Sequence, residues 1–298
     1  MSYQCQAPVG FFIFNRLETT IEVLDSIRKA RPQKMYLVSD GPRDSKPNEK
    51  EKVDEVRRYV ENHIDWPCDI EKNYSAHNLG CKKRMASGIT WILENEESAI
   101  FLEDDVKPAA DFFPFMEELL LRYKDEPRIM EVCGFKYLND YPIERSYTFS
   151  HHSMIWGWGT WKRAWQYYDI DIKSWEQRKK DWSLRKHFNL WGYLISSRHF
   201  DSVYHHICDT WDYQWDYAIY EHDGLTIVPK VNLVENIGFG KGDATHTTGQ
   251  SSYDFSVSNL TFPLEHPDRI MADSGYDERF VKEEWGTKTI IKKILGKI

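Results

Sequence analysis

Glu103, Asp104 and Asp105 stand together at the end of the apolar run Ala99 to Leu102. Three adjacent carboxylates repel one another unless a cation lies among them. Hard divalent ions such as Mn2+ or Mg2+ bind through one or two carboxylates plus substrate phosphates. If the run is a strand, Glu103 and Asp105 point one way and Asp104 the other. A metal held there would bridge a pyrophosphate and act as a Lewis acid on a departing diphosphate. The competing reading is a solvated acidic turn ahead of a helix at Asp111.

Other polar residues sit where they could join this chemistry. Arg16 and Asp40 each follow an apolar run; a guanidinium suits a diphosphate, and a carboxylate can accept from a ribose hydroxyl or a base N–H. Lys82, Lys83 and Arg84 open a helical pattern, where phosphate is attracted, although three cations in a row are also what a solvated face looks like. Asp209, Asp212 and Asp216 share one face if Cys208 to Tyr220 is a helix, and any of them could serve as a general base. His246 could bind a metal or a phosphate, or be a surface-loop histidine. The pairs His151-His152 and His205-His206 read as structural or acceptor-side, not as zinc sites. Trp156 to Trp161 alternates Trp with Gly, which suits either an indole platform for a ligand or a packed core turn.

These residues need a scaffold. Val9 to Phe14, Met35 to Val38 and Ala99 to Leu102 are short apolar runs, as expected of strands buried on both faces. Amphipathic patterns at Glu18 to Ala30, Asn48 to His63 and Cys81 to Leu93 alternate with them. That rhythm predicts an α/β fold, a mainly parallel, Rossmann-like open sheet flanked by helices. Such sheets bind ligands at the carboxyl ends of their strands, here Asn15-Arg16, Asp40 and Glu103 to Asp105. Asp111 is a candidate N-cap for a helix reaching Tyr123. Ile129 to Phe135 and Leu225 to Val234 read as further strands.

The 298 residues are 41% apolar, enough for a sizeable core. A formal net charge of −8 argues against a nucleic-acid partner, which needs a basic face. The 12 Trp and 17 Tyr offer faces for sugar rings, but also pack as ordinary hydrophobes. The opening residues lack a secretory signal, and no stretch approaches the roughly 20 apolar residues of a membrane span. Five scattered cysteines make a disulfide framework or cysteine zinc site unexpected. The expected address is the cytoplasm. The basic, amphipathic tail from Lys288 suits peripheral contact with the inner membrane face, or packing on its own domain.

Taken together, the chain resembles the glycosyltransferase-A fold, and more narrowly N-acetylglucosaminyltransferase I and bacterial hemolysin-like glycosyltransferases. The resemblance rests on Phe14-Asn15-Arg16, Ser39-Asp40, Arg84 with Gly88, Leu102 to Val106 followed by Ala110 to Phe113, Trp211-Asp212, and Gly238 to Lys241 with His246. It implies that Asp105 is the principal metal ligand, that Asp104 faces the ribose and that Glu103 touches the donor sugar. Arg16 and Asp40 would hold the nucleotide with Arg84 close by, and Asn15 and Lys241 join the donor-binding positions. Asp212 matches the family's general base, and the loop from Gly238 to His246 matches one that closes over the donor. The implied partners are a nucleotide-sugar donor, with a UDP-sugar favoured, and a carbohydrate or lipid-linked acceptor. One catalytic domain is expected over residues 1–270, nucleotide-binding to 125 and acceptor-binding from 126, with a tail over 271–298. A carbohydrate-binding protein and a sugar-1-phosphate nucleotidyltransferase are the rivals. The second should carry a Gly-rich loop where Asn15-Arg16-Leu17 stands.

Overall fold

The computed structural model describes residues 3–239 and 253–285. Strand β1 (Val9–Ile13) is buried along its length, and helix α1 (Leu17–Ala30) returns over the sheet with Val23, Leu24 and Ile27 inward. Strand β2 (Lys34–Ser39), helix α2 (Glu49–His63), strand β3 (Asp69–Tyr74), helix α3 (Cys81–Asn95) and strand β4 (Ser98–Glu103) continue the alternation. These four strands are parallel, in the order β3-β2-β1-β4. The expected sheet is therefore present, because continuous apolar strands need helices on both faces. Strand β3 has no apolar run and was not anticipated. It is an edge strand paired only with β2, and its charged side chains suit an edge.

The second half carries β5 (Val106–Pro108), α4 (Phe112–Arg122), β6 (Ile129–Cys133), β7 (Tyr147–Ser150) and β8 (Trp158–Trp161). Then come α5 (Lys162–Trp165), α6 (Trp175–Asp181), α7 (Leu190–Tyr204), α8 (Asp212–Glu221), β9 (Leu225–Pro229), β10 (Val234–Asn236) and α9 (Ser274–Trp285). The same sheet extends as β4-β8-β6-β9-β7, with β8 antiparallel to both neighbours. It is thus parallel in its first half and mixed in its second. The stretch expected as one strand from Leu225 is two, and β10 leaves the main sheet to pair antiparallel with β5.

Trp158 and Trp161 are fully buried in β8, and Trp158 stacks 5.5 Å from Trp211. That portion of the Trp-Gly run is core, not an indole platform; only Trp156 reaches a cavity. Asp111 precedes α4 but does not cap it with its side chain. Its Oδ2 accepts instead from the Leu260 amide at 2.8 Å. Among the described residues no helix is long and apolar enough to cross a membrane.

Candidate functional site

The acid triplet lies where β4 ends beside β1, with Glu103 in register with Phe12. Asp104 Oδ2 accepts from the Phe14 amide at 3.2 Å, so the two strand ends are tied across the crevice. Arg16, just past β1, reaches both aspartates. Its Nη1 donates to Asp105 Oδ2 at 2.8 Å and its Nη2 to Asp104. Asp104 and Asp105 are buried, and the shared guanidinium supplies the counter-charge that burial demands. Burial pushes the Glu103 and Asp104 carboxyls up, and their acidic neighbours add to it; Arg16 opposes the rise. Gly238 follows β10, and a Cβ there would lie 2.3 Å from Asp105 Oδ2, so only glycine lets the backbone come so close.

Among the described residues, no three His, Cys, Asp or Glu side chains form a protein-only metal cage. The donor set fits a different kind of binding. Hard carboxylate oxygens at a strand end suit Mn2+ or Mg2+, which complete their shells with water and substrate phosphates.

The remaining nucleotide-side residues divide. Asp40, at the end of β2, is buried, and its carboxylate accepts from the amides of Gly41, Leu79 and Gly80 and from Asn78 Nδ2, at 2.8 to 3.1 Å. It organises the turn that starts α3, and burial raises its pKa against those hydrogen bonds. At that turn Gly80 has φ 79°, and a Cβ would meet Asp209 Oδ2 at 2.8 Å. The three cations that follow are not one solvated face, because Lys82 and Arg84 are buried and only Lys83 is exposed. Arg84 donates through Nη1 to Asn73 at 3.2 Å, while its Nε is buried with no partner among the described residues. Asn15 turns away from the acids and donates to Glu49, which pairs with Arg43.

Asp212 is the first residue of α8, so the helix begins four residues later than expected. Asp209 falls outside it and accepts from the Lys82 amide at 3.3 Å; Asp216 lies one turn further along. Asp212 Oδ1 accepts from the Thr210 hydroxyl and from the Tyr213 amide at 3.0 Å. Its charge is felt at Glu103, and both press on the thiol of Cys81, which burial and the surrounding carboxylates push well up. The general-base candidate and the acid triplet therefore share one electrostatic neighbourhood.

Asp212 also lines a cavity of about 220 Å³, walled by Trp156, Tyr213, Tyr220, Tyr253 and Phe280 and holding the carboxyls of Asp216 and Glu284. Burial pushes the Asp216 carboxyl well above its ordinary range, with Asp212 and Glu131 adding to it. Glu131 sits fully buried in β6, accepting from Trp215 Nε1 at 2.6 Å and the Met154 amide at 2.8 Å, and burial pushes it up to about 7. It went unremarked in the sequence, although an acid inside an apolar strand is itself a signal. The cavity's aromatic walls come from distant segments, and no local pattern joins them.

Lys241 and His246, with the part of their loop beyond residue 239 and the basic tail from Lys288, lie outside the described residues.

No family model matches the chain, and no curated protein does either. Solved structures overlap parts of the fold. The chain is similar to a mannosyltransferase, PcManGT from Pyrobaculum calidifontis in complex with GDP-Man and Mn2+, at 17% identity over 53% of this chain and 45% of that one, TM-score 0.37. It is similar to GalNAc-T7 with UDP, GalNAc and Mn2+ at 11% identity over 76% and 43%, TM-score 0.44. Mouse xyloside xylosyltransferase 1 overlaps at 11% identity over 76% and 85%, TM-score 0.36. The chain spans less than half the length of the first two.

Proposed function

We propose that the protein is an inverting glycosyltransferase that moves a sugar from a nucleotide-sugar donor, a UDP-sugar such as UDP-GlcNAc or UDP-Gal, to a carbohydrate or lipid-linked acceptor. The observation that carries the reading is the position of Asp212. It lines the aromatic cavity on one side and bears electrostatically on Glu103 on the other. A donor diphosphate at the strand ends and an acceptor ring against the cavity's aromatic walls would meet at this carboxylate.

In this reading Arg16 and Arg84 bind the donor's nucleotide and phosphates, and the buried, unpartnered Nε of Arg84 gains an acceptor. Asp40 positions the turn before α3 and sets the shape of the nucleotide crevice. Glu103 and Asp104 border the donor's sugar and ribose. A divalent cation held by Asp105 would neutralise charge on the diphosphate when bound. Asp212 takes the proton from the acceptor hydroxyl as its oxygen attacks the anomeric carbon. The bond from that carbon to the diphosphate oxygen breaks, and the nucleoside diphosphate carries away the electron pair. Oδ1 of Asp212 is held by Thr210 and the Tyr213 amide, which leaves Oδ2 for the hydroxyl. Lys241 and His246 are proposed to join the donor side, His246 as a metal or phosphate ligand, with residues 1–270 acting as one catalytic domain whose cavity is completed by Phe280 and Glu284 of α9.

Thermal stability measured against a panel of nucleotide sugars, with Mn2+ or with EDTA, tests this. A ligand that binds only the folded state raises the melting temperature. Stabilisation by one nucleotide sugar that vanishes with EDTA is the expected result. A folded protein indifferent to every nucleotide sugar, yet stabilised by free sugars, would instead support a carbohydrate-binding protein without catalysis.

A further inference from the structure

The cavity beside Asp212 gathers acid into an aromatic enclosure. Asp212 and Asp216, one turn apart on α8, both line it, and Glu284 reaches it from α9. Trp156, Tyr213, Tyr253 and Phe280 supply aromatic wall, with Trp156 edge-on to Tyr253 at 5.2 Å between centroids. Burial raises the Asp216 carboxyl, and the charged groups that add to the rise, Asp212, Glu131 and Glu284, are all acidic. Among the described residues His199 of α7 is the one basic side chain on the wall, and its ring stacks on Tyr213 at 4.6 Å. Carboxylates crowded into an apolar enclosure lose hydration and repel one another unless a cation joins them.

We propose that this cavity takes a sugar ring carrying a free, protonated amino group, its ammonium held by Asp216 and Glu284 and a ring hydroxyl placed at Asp212. An organic ammonium is drawn both to carboxylates and to the faces of indole and phenol rings, and an enclosed site strengthens both attractions. A hard metal ion is a poorer occupant, because among the described residues no three His, Cys, Asp or Glu side chains converge as a cage. The aromatic walls suit the apolar face of a sugar ring. The volume of about 220 Å³ lies below the usual range for drug-sized ligands, which fits a single ring. On the same wall Ser196 is 3% exposed, and its Oγ has no hydrogen-bond partner among the described residues; a ring hydroxyl would supply one.

The three carboxylates then have different tasks. Asp212 has Oδ1 engaged by Thr210 and the Tyr213 amide and bears on Glu103, which suits it to the hydroxyl that faces the donor. Asp216 lies about 6 Å further along α8, at 1.5 Å per residue. On α9 the Tyr137 hydroxyl donates to Glu284 Oε2 at 2.7 Å, which fixes that carboxylate in the wall. An amine anchored by the second and third acids orients the ring against the first, and N-acetylation removes the charge that anchors it. The ring's role as acceptor rests on the glycosyltransferase reading; the preference for an ammonium rests on the cavity alone.

Calorimetric titration of the full chain at pH 7 tests this, with glucosamine, glucose, N-acetylglucosamine and ethanolamine as probes, each with and without UDP and Mn2+. Glucosamine is expected to bind at least about ten-fold more tightly than either neutral sugar, since it alone among the three brings a charge. Ethanolamine, which has the charge but no ring, should bind at least about ten-fold more weakly than glucosamine. Asp216→Asn and Glu284→Gln should each cut the preference for glucosamine by at least about three-fold. Their melting temperatures should be no lower than the parent's, because each removes one of several mutually repelling acids. Equal binding of glucosamine and glucose, binding of neither, or a preference that survives both substitutions would overturn the inference. Ethanolamine bound as tightly as glucosamine would also overturn it, in favour of a simple amine. The nucleotide-sugar panel reports on the glycosyltransferase reading separately. A protein stabilised by a nucleotide sugar but indifferent to glucosamine keeps that reading and loses this inference. A glucosamine preference without response to any nucleotide sugar keeps the cationic site and removes its role as acceptor.

Discussion

The strand-end crevice and the aromatic cavity handle charge in opposite ways. In the crevice Asp40, Asp104 and Asp105 each have partners. Asp40 accepts from three amides and an asparagine, and Asp104 and Asp105 share Arg16. In the cavity, the charges that bear on Asp216, Tyr213 and Tyr220 are negative, and no arginine or lysine lines the walls among the described residues. The first region is held rigid by its hydrogen bonds. The second is shaped by aromatic packing, with carboxylates whose protonation depends on what enters. Fixed geometry resides in the parallel half of the sheet and adaptable chemistry in the mixed half.

The largest expected effect falls at Asp212, in the cavity wall. Replacing Asp212 with Asn should lower turnover by about 10²- to 10⁴-fold, the usual contribution of a positioned general base. Nucleotide-sugar and metal affinity, read by thermal shift, should stay near normal because Asp212 belongs to the cavity side. Near-normal turnover would sink its assignment as the base.

The second effect is a pH dependence confined to the cavity half. Glu131 has a folded pKa of about 7 against an ordinary 4.5, so between those values the folded state holds the proton more tightly than the unfolded chain. Its contribution to stability is therefore greatest below about 4.5 and is lost as pH rises through 7. At 1.36 kcal/mol per unit the full span is on the order of 3 kcal/mol. Urea unfolding in EDTA should show Glu131→Gln gaining on the parent protein by up to that amount between pH 5 and pH 8. A difference that does not change with pH would mean that Glu131 is charged throughout.

A third test contrasts the regions directly. Asp40→Ala should cost about 2 kcal/mol of stability, because three amides of the turn before α3 lose their acceptor. Asp212→Ala, which removes one amide contact, should cost well under half of that. Equal costs in denaturant melts would dissolve the distinction between a preorganised crevice and an adaptable cavity.

How much of this could be read in the sequence follows the same division. The parallel half was legible because Val9 to Ile13, Met35 to Val38 and Ala99 to Leu102 are apolar and bounded by polar residues, so strand ends and candidate ligands could be named together. Its one gap was β3, whose sequence is mostly polar because it pairs on only one side. The mixed half was harder. Strand β8 reads as a Trp-Gly motif rather than a strand, and β7 and β10 are four and three residues long. The cavity joins Trp156, Tyr213 and Tyr253 across nearly a hundred positions, which no local periodicity can signal. Asp209, Asp212 and Asp216 looked equivalent only because the start of α8 was misplaced; with the helix beginning at Asp212, Asp209 drops away to the turn before α3.

The smallest expected effect separates binding from folding at a single residue. Arg84 is buried, its Nε lacks a partner among the described residues, and burial lowers its pKa while Asp40 opposes the change. A buried cation with an unmatched donor disfavours the folded state unless a ligand completes it. Arg84→Met keeps an unbranched apolar stem but removes both the charge and the orphaned donor. The melting temperature of the ligand-free protein should therefore hold or rise slightly, while the Kd for the nucleoside diphosphate should increase about tenfold, the loss of one charge-assisted hydrogen bond. A drop in stability with unchanged nucleotide affinity would reverse the assignment. Arg84 would then be a strut between α3 and Asn73 on β3, and the crevice would have to recognise its nucleotide through Arg16 alone.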